Sequence, residues 1–305
     1  MKKIILSLVI IVSLSSFAYT QTAEEYNEQG MEKGKSGNYQ DALNLFTKAI
    51  EINPDYAEAY YNLGLTYQNL QNYSKAISDY DKAIEIDPDY ASAYINRGDI
   101  YSNLQNYSKA ISDYTRAITI NPNLANAYYD RGLLYYFINE FPKAISDYTK
   151  AIEINPDFSN AYYNRGGVYF KLLKYLEAIS DITEAIKINP ALPDAYYTRG
   201  VAYSEGLQDY SNAISDFTKA IEINPNYEVA YFKRGNTYDN LKDYSKAISD
   251  YSKAIEINPN YAEAYSNRGV SYYYSGDANK ACDDWHKAYS LGLTEVMINI
   301  NNYCK

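Results

Sequence analysis

The sequence predicts an all-α solenoid: about eight helix–turn–helix repeats in tandem, closed by a C-terminal capping helix. Three observations carry this. Glycine recurs at Gly30, Gly64, Gly98, Gly132, Gly166, Gly200, Gly235 and Gly269, in steps of 34 residues with one step of 35. Proline keeps the same beat at Pro54, Pro88, Pro122, Pro156, Pro190, Pro225 and Pro259. Each unit also holds two amphipathic patterns. In the second unit, Tyr60, Leu63, Gly64 and Tyr67 fall at i, i+3, i+4 and i+7, and Ala76, Ile77, Tyr80, Ala83 and Ile84 repeat that spacing. This is the period of helices that each bury one face. Leu70, Gln71 and Asn72 form a short turn between them, and Pro88 stops the second helix.

Eight units follow: residues 23–56, 57–90, 91–124, 125–158, 159–192, 193–227, 228–261 and 262–295. The additional residue of the sixth sits in the turn around residues 204–207, where an insertion costs little. The series aromatic, Leu, Gly, Tyr, Ala, aromatic, Ala, Pro at these offsets resembles the tetratricopeptide repeat. The resemblance covers about nine tenths of the chain. It implies a right-handed superhelical α-solenoid whose stability is a nearest-neighbour sum. Its functional implication is an interaction scaffold for a protein or peptide.

Before the repeats, Lys2 and Lys3 precede an apolar run over residues 4–14, and small residues then offer a cut after Ala18 or, alternatively, after Thr20. Residues 1–20 are therefore expected to be a secretory signal peptide; the apolar run is short for a bilayer span. An exported protein, periplasmic or extracellular, is expected, with no membrane insertion after signal removal. The first repeat is degenerate: Lys33 holds a slot that is Tyr in every later copy. The last one departs late, with the lone Trp285 and with Gly292 in place of proline. Residues 296–305 bring Val296, Met297, Ile298 and Ile300 and are expected to cap the stack. Cys282 and Cys304, the only cysteines, read as a disulfide tying this cap or as two buried thiols.

The net charge of −10 and the lack of any Lys/Arg run argue against nucleic-acid partners. Most of the 39 tyrosines fill the large slots of the repeat. No chemistry is expected. His286 is the sole histidine, too little for a metal site, and no Ser/His or Cys/His constellation exists. No catalytic residue, metal or cofactor is expected, and the sequence does not address oligomeric state.

Numbering each repeat from its first residue, slot seven is Arg97, Arg131, Arg165, Arg199, Arg234 and Arg268 in repeats three to eight. Slot twenty-three is Asp79, Asp113, Asp147, Asp181, Asp216, Asp250 and Asp284 in repeats two to eight. Pairing within a repeat would set Leu63 against Asp79, whereas pairing each second helix with the next first helix sets Leu45 against Leu63. The expectation is therefore an inter-repeat ladder: Asp79–Arg97, Asp113–Arg131, Asp147–Arg165, Asp181–Arg199, Asp216–Arg234 and Asp250–Arg268. A set of anion-binding arginines is the functional alternative.

At about 100° per residue, slots 4, 7, 8 and 11 of the first helix must be core, and slots 2, 5, 6, 9, 12 and 13 face the other way. In stacked helix pairs that second face lines the inside of the curve. Slot six offers Asn62, Asn96, Asn164 and Asn267 there, interrupted by Asp130, Thr198 and Lys233. A primary amide suits a passing peptide backbone, which resembles the asparagine ladder of some tetratricopeptide superhelices. Aromatics concentrate in repeats four to six: Tyr129, Tyr136, Phe137, Tyr163, Phe170 and Tyr197. They read as a peptide-binding patch or as rings covered by their neighbours. Tail binding through a Lys/Asn/Arg clamp is disfavoured, since repeat one has Asn27 and Met31 where that clamp needs Asn and Lys. The expected function is a non-catalytic scaffold that holds a peptide or helix on the concave face. The alternatives are an assembly subunit of an envelope complex and a carbohydrate-associated envelope binder.

Overall fold

The computed structural model describes residues 21–304, so the expected leader lies outside the described residues. Every regular element among them is helical, in tandem hairpins. The chain divides into two compact units, one ending at Ile120 and the other beginning at Asn121.

The first unit is three hairpins: α1 (Ala23–Lys35) with α2 (Tyr39–Ile52), α3 (Ala57–Asn69) with α4 (Tyr73–Ile86), and α5 (Ala91–Asn103) with α6 (Tyr107–Ile120). The second holds α7 (Ala125–Phe137) with α8 (Phe141–Ile154) and α9 (Ser159–Lys171) with α10 (Tyr175–Ile188). Then come α11 (Pro193–Val201) with α12 (Tyr210–Ile223), α13 (Glu228–Asn240) with α14 (Tyr244–Ile257) and α15 (Ala262–Tyr274) with α16 (Ala278–Ser290). A cap, α17 (Met297–Tyr303), closes the second unit. Within each unit every second helix also packs on the first helix of the next hairpin.

Local chemistry sets these boundaries. The left-handed backbone at Gln71 and Gln105 closes the turn inside a hairpin, and Asn72 and Asp243 then cap the next helix by accepting from the backbone N–H of Lys75 and Lys246. Between hairpins, the side chains of Asn53, Asp87 and Asn155 accept from the N–H two residues on, bracketing the proline in an Asx turn. The inserted residue of the sixth repeat is absorbed as a π-helical turn, Ala202–Gly206.

The recurring glycine is explained by contact. A Cβ on Gly64 would lie 2.8 Å from the buried ring of Tyr80, and one on Gly235 would lie 2.7 Å from that of Tyr251. At the C-terminus Cys282 and Cys304 form a disulfide. Trp285 is buried and donates to the Ser266 carbonyl, and Tyr303 packs against Tyr273 and Trp285. Val296 is buried as the cap requires, while Ile298 is exposed.

The ladder differs from the expected pairing. Its ion pairs run within repeats: Arg97–Asp113, Arg131–Asp147, Arg165–Asp181, Arg199–Asp216, Arg234–Asp250 and Arg268–Asp284. Each is bidentate, Nε and Nη2 donating to the two carboxylate oxygens over 2.6–2.9 Å. Antiparallel folding of a hairpin sets slot twenty-three beside slot seven of its own first helix. The link to the preceding repeat exists but uses a different partner. Nη1 of Arg165, Arg199, Arg234 and Arg268 donates to the hydroxyls of Thr149, Thr183, Thr218 and Ser252, and Nη1 of Arg97 donates to Asp81. The guanidinium also lies over the tyrosine three residues earlier, as in Arg165 over Tyr162 at 5.7 Å.

In the second repeat the same register sets Asp79 opposite slot seven, where Leu63 has no donor to offer. Leu63 packs with Leu43 and Phe46, and Asp79 is left with Oδ2 buried and without a hydrogen-bond partner. Burial pushes its carboxyl up to about 7, against a weaker opposing pull from Lys75. A folded-state pKa above the unfolded one means that the fold favours the protonated form. The contribution of Asp79 to stability is therefore present at low pH and is lost as pH rises from about 4 through 7.

Leu63→Arg should place a guanidinium beside Asp79, over Tyr60 and within reach of Thr47, whose hydroxyl bonds Leu43 as Thr149 bonds Ile145. Both Leu63→Arg and Asp79→Leu should stabilise the protein by about 1–3 kcal/mol at pH 8 and by much less at pH 4, read from denaturant midpoints. Adjacent glycines should respond with opposite signs. A Cβ on Gly166 would lie 2.8 Å from Ile182 Cγ1 and 3.2 Å from the Ala178 carbonyl, whereas one on Gly167 would meet nothing within 4 Å. Gly166→Ala should cost about 1–3 kcal/mol and Gly167→Ala should gain up to about 1 kcal/mol, measured by the same titration.

Candidate functional site

The first-helix face carries the variable residues, and the structure distinguishes those that only hold the stack from those that also border a recess. The slot-six asparagines are mainly of the second kind. Asn62 is buried, and its Nδ2 donates to Asn27 Oδ1 at 3.0 Å. Asn96 Nδ2 donates to the Tyr61 hydroxyl at 3.0 Å and Asn164 Nδ2 to the Tyr129 hydroxyl at 2.9 Å. Asn267 Nδ2 donates to Asn236 Oδ1 at 2.9 Å. The reason is steric: slot six of one first helix faces slot five or nine of the helix before it across a narrow seam. One N–H of each amide is used there, so these residues stitch neighbouring hairpins.

The aromatics divide likewise. Tyr129 lies 4.8 Å from the Phe158 ring and 5.9 Å from that of Tyr148, and burial raises its phenol pKa. Tyr197 packs on Phe217 and Tyr227, and Phe170 stands edge-on to Tyr175. These three are half-covered packing residues. Tyr136 and Tyr163 also pack, Tyr136 on the Phe141 ring and Tyr163 with its hydroxyl 3.4 Å from Thr198 Oγ1, but with Phe137 they border a space as well. Together with Leu133, Tyr148, Asn164 and Gly167 they line a recess of about 230 Å³ in the second unit. Phe137 is 60% exposed, and Lys171 lies over the Tyr136 ring at 5.6 Å. At Gly167 the recess is bordered by backbone alone. The same slot is Leu65, Asp99, Leu133, Val201, Asn236 and Val270 in other repeats. Gly167 was missed in reading the sequence, although the doubled glycine at 166 and 167 was its signal.

A second recess of the same unit is polar. It measures about 360 Å³ and is lined by Ser204 and Glu205 of the π-helical turn, Lys233, Asn236, Thr237, Asp239 and Asn240 of α13, and Tyr251, Asn267 and Val270. Lys233 Nζ is 2.6 Å from Glu205 Oε1. Asp239 accepts from the Tyr251 and Ser271 hydroxyls, and burial raises its carboxyl pKa. In the first unit, Met31, Tyr39, Phe46, Asn62, Leu65 and Thr66 border a recess of about 260 Å³.

His286 is exposed, with Nδ1 2.7 Å from the Cys282 carbonyl oxygen. Among the described residues no group of three or more His, Cys, Asp or Glu side chains gathers as a metal site. No described helix is long and apolar enough to cross a membrane. The arginines of the alternative anion-binding reading are held by their aspartates.

Profiles described as Tetratricopeptide repeat match residues 57–90, 91–124, 125–158, 159–192 and 229–261, 193–227 and 251–283; one described as TPR repeat matches residues 35–71. No curated protein matches the chain. Among solved structures, the C-terminal part of a TPR repeat-containing protein from Cytophaga hutchinsonii has a TM-score of 0.68 at 20% identity, covering 79% of this chain and 98% of that one. That likeness is one of fold. YrrB, a TPR protein with an unusual peptide-binding site, has a TM-score of 0.55 at 28% identity, covering 62% of this chain and 97% of its own. MamA has a TM-score of 0.52 at 26% identity, covering 59% of this chain and 96% of its own.

Proposed function

Because the chain belongs to the tetratricopeptide repeat family, whose members are generally non-catalytic interaction scaffolds, we propose that it holds a peptide or helix of a partner protein on the first-helix face of the second unit. The observation that carries this reading is the recess bordered by Gly167 and walled by Tyr136, Phe137 and Tyr163. A large apolar side chain entering it would be desolvated against rigid rings, the setting in which single residues dominate binding. The rings are fixed by packing within and between hairpins, so little side-chain entropy is lost on capture. The peptide-binding site of YrrB supports the same use of the fold.

The protein works by holding, without a catalytic step, and it does so outside the cytoplasm. The apolar leader at residues 4–14 supports export, and the Cys282–Cys304 bridge suits an oxidising compartment.

The test fills the recess without touching its walls. Random peptides displayed on phage and panned against the full chain should enrich a large apolar residue. Gly167→Leu should reduce the affinity of the selected peptides about tenfold or more, worth about 1.4 kcal/mol, while circular dichroism and denaturant midpoint show an intact and slightly stabilised fold. Equal affinity for wild type and Gly167→Leu removes the recess from this reading.

A further inference from the structure

The polar recess beside α13 is unlike the apolar one in charge and in what it leaves unsatisfied. Its ionic groups are Glu205, Asp239 and Lys233. Lys233 is already engaged by Glu205, so the walls carry one negative charge in excess. Asp239 is where that excess resides. Asp250, the buried aspartate of the same hairpin, and Asp216 and Asp284 of its neighbours each face a guanidinium. Asp239 is met by neutral donors instead, Tyr251 on Oδ2 and Ser271 on Oδ1. Four acceptor positions on a carboxylate leave two unused. Its pKa is raised by burial, which means that its charge is short of solvation in this recess. A cation brought beside it restores what burial removed.

The rest of the wall is rich in acceptors as well. Asn236 Oδ1 takes a hydrogen bond from Asn267 Nδ2, which fixes Asn267 with its own carbonyl oxygen unused by that bond. Asn240 is exposed at the rim. Glu205 stands at this rim because the inserted residue winds Ala202–Gly206 into a π-helical turn, and its pairing with Lys233 spans two first helices. An incoming cation can share Glu205 with Lys233 and take Asp239 for itself. The full chain, at a net charge of −10, draws a basic segment toward it over a longer range.

We propose that this recess receives a basic side chain, lysine or arginine, of the segment whose apolar residue enters the recess at Gly167. The inference rests on the scaffold reading above and adds the chemistry of the partner: an apolar anchor followed or preceded by a positive charge.

The test compares panning of random displayed peptides on four full-length proteins: wild type, Asp239→Asn, Asn240→Lys and Gly167→Leu. Wild type should enrich both an apolar and a basic position. Asp239→Asn and Asn240→Lys should still enrich the apolar position but lose the basic one. For a synthetic peptide from the wild-type selection, replacing its basic residue by Gln should weaken binding to wild type about tenfold and leave binding to Asn240→Lys unchanged. That loss should shrink at high salt, as paired charges are screened. Asn240 is exposed, so its variant keeps the test valid if Asp239→Asn is destabilised. Apolar enrichment without a basic position, or a basic position that survives both variants, overturns this inference and leaves the scaffold reading standing. No enrichment on wild type overturns both.

Discussion

The structure depends on how closely two antiparallel helices can approach. At slot eight the backbone of the first helix touches an aromatic or isoleucine side chain from the second, and only a missing Cβ permits that distance. Gly64 beneath Tyr80 and Gly269 beneath Trp285 are the same contact with different rings. Once the approach is fixed, slot seven is brought beside slot twenty-three, and the bidentate arginine–aspartate pair becomes possible. The arginine then reaches a hydroxyl of the preceding hairpin. A contact inside one repeat thereby sets the spacing between repeats.

Most of the fold was legible because it is written many times over. Helix periodicity, the turn between helices and the stop at proline recur with so little variation that noise cancels across copies. The ladder shows where this method fails. Its residues stand out in the sequence, but the one copy that breaks the pattern, Leu63 with Asp79, points to the wrong register. The exclusion of Leu63 opposite Asp79 assumed that every buried carboxylate is paired. The protein tolerates one that is not, at the expense of a carboxyl held near neutrality. Burial costs of a few kcal/mol are survivable for a hairpin such as α3 with α4, packed on α2 at one side and on α5 at the other, so a single exception cannot decide a pairing.

The binding face was less legible, for a physical reason. Periodicity reports which side of a helix a residue occupies, not which neighbour reaches it across a seam. Asn62, Asn96 and Asn164 lie on the predicted face, yet each gives an amide N–H to the preceding first helix. Tyr129 and Tyr197 are there too, half-covered by rings from the second helix of their own hairpin. What distinguishes the apolar recess is a subtraction, Gly167, and an absent side chain leaves no mark on a hydrophobic pattern. The polar recess depends on Glu205, placed by a local change in helix pitch that spacing alone does not reveal.

The bond between Cys282 and Cys304 has a mechanical meaning. Linear arrays open from their termini, where a hairpin has one neighbour in place of two. Covalent closure makes the last hairpin and its terminal helix a single body, so peeling at that edge must remove Trp285, Tyr273 and Tyr303 together. The second unit is locked at its tail against the progressive fraying to which an open stack is prone.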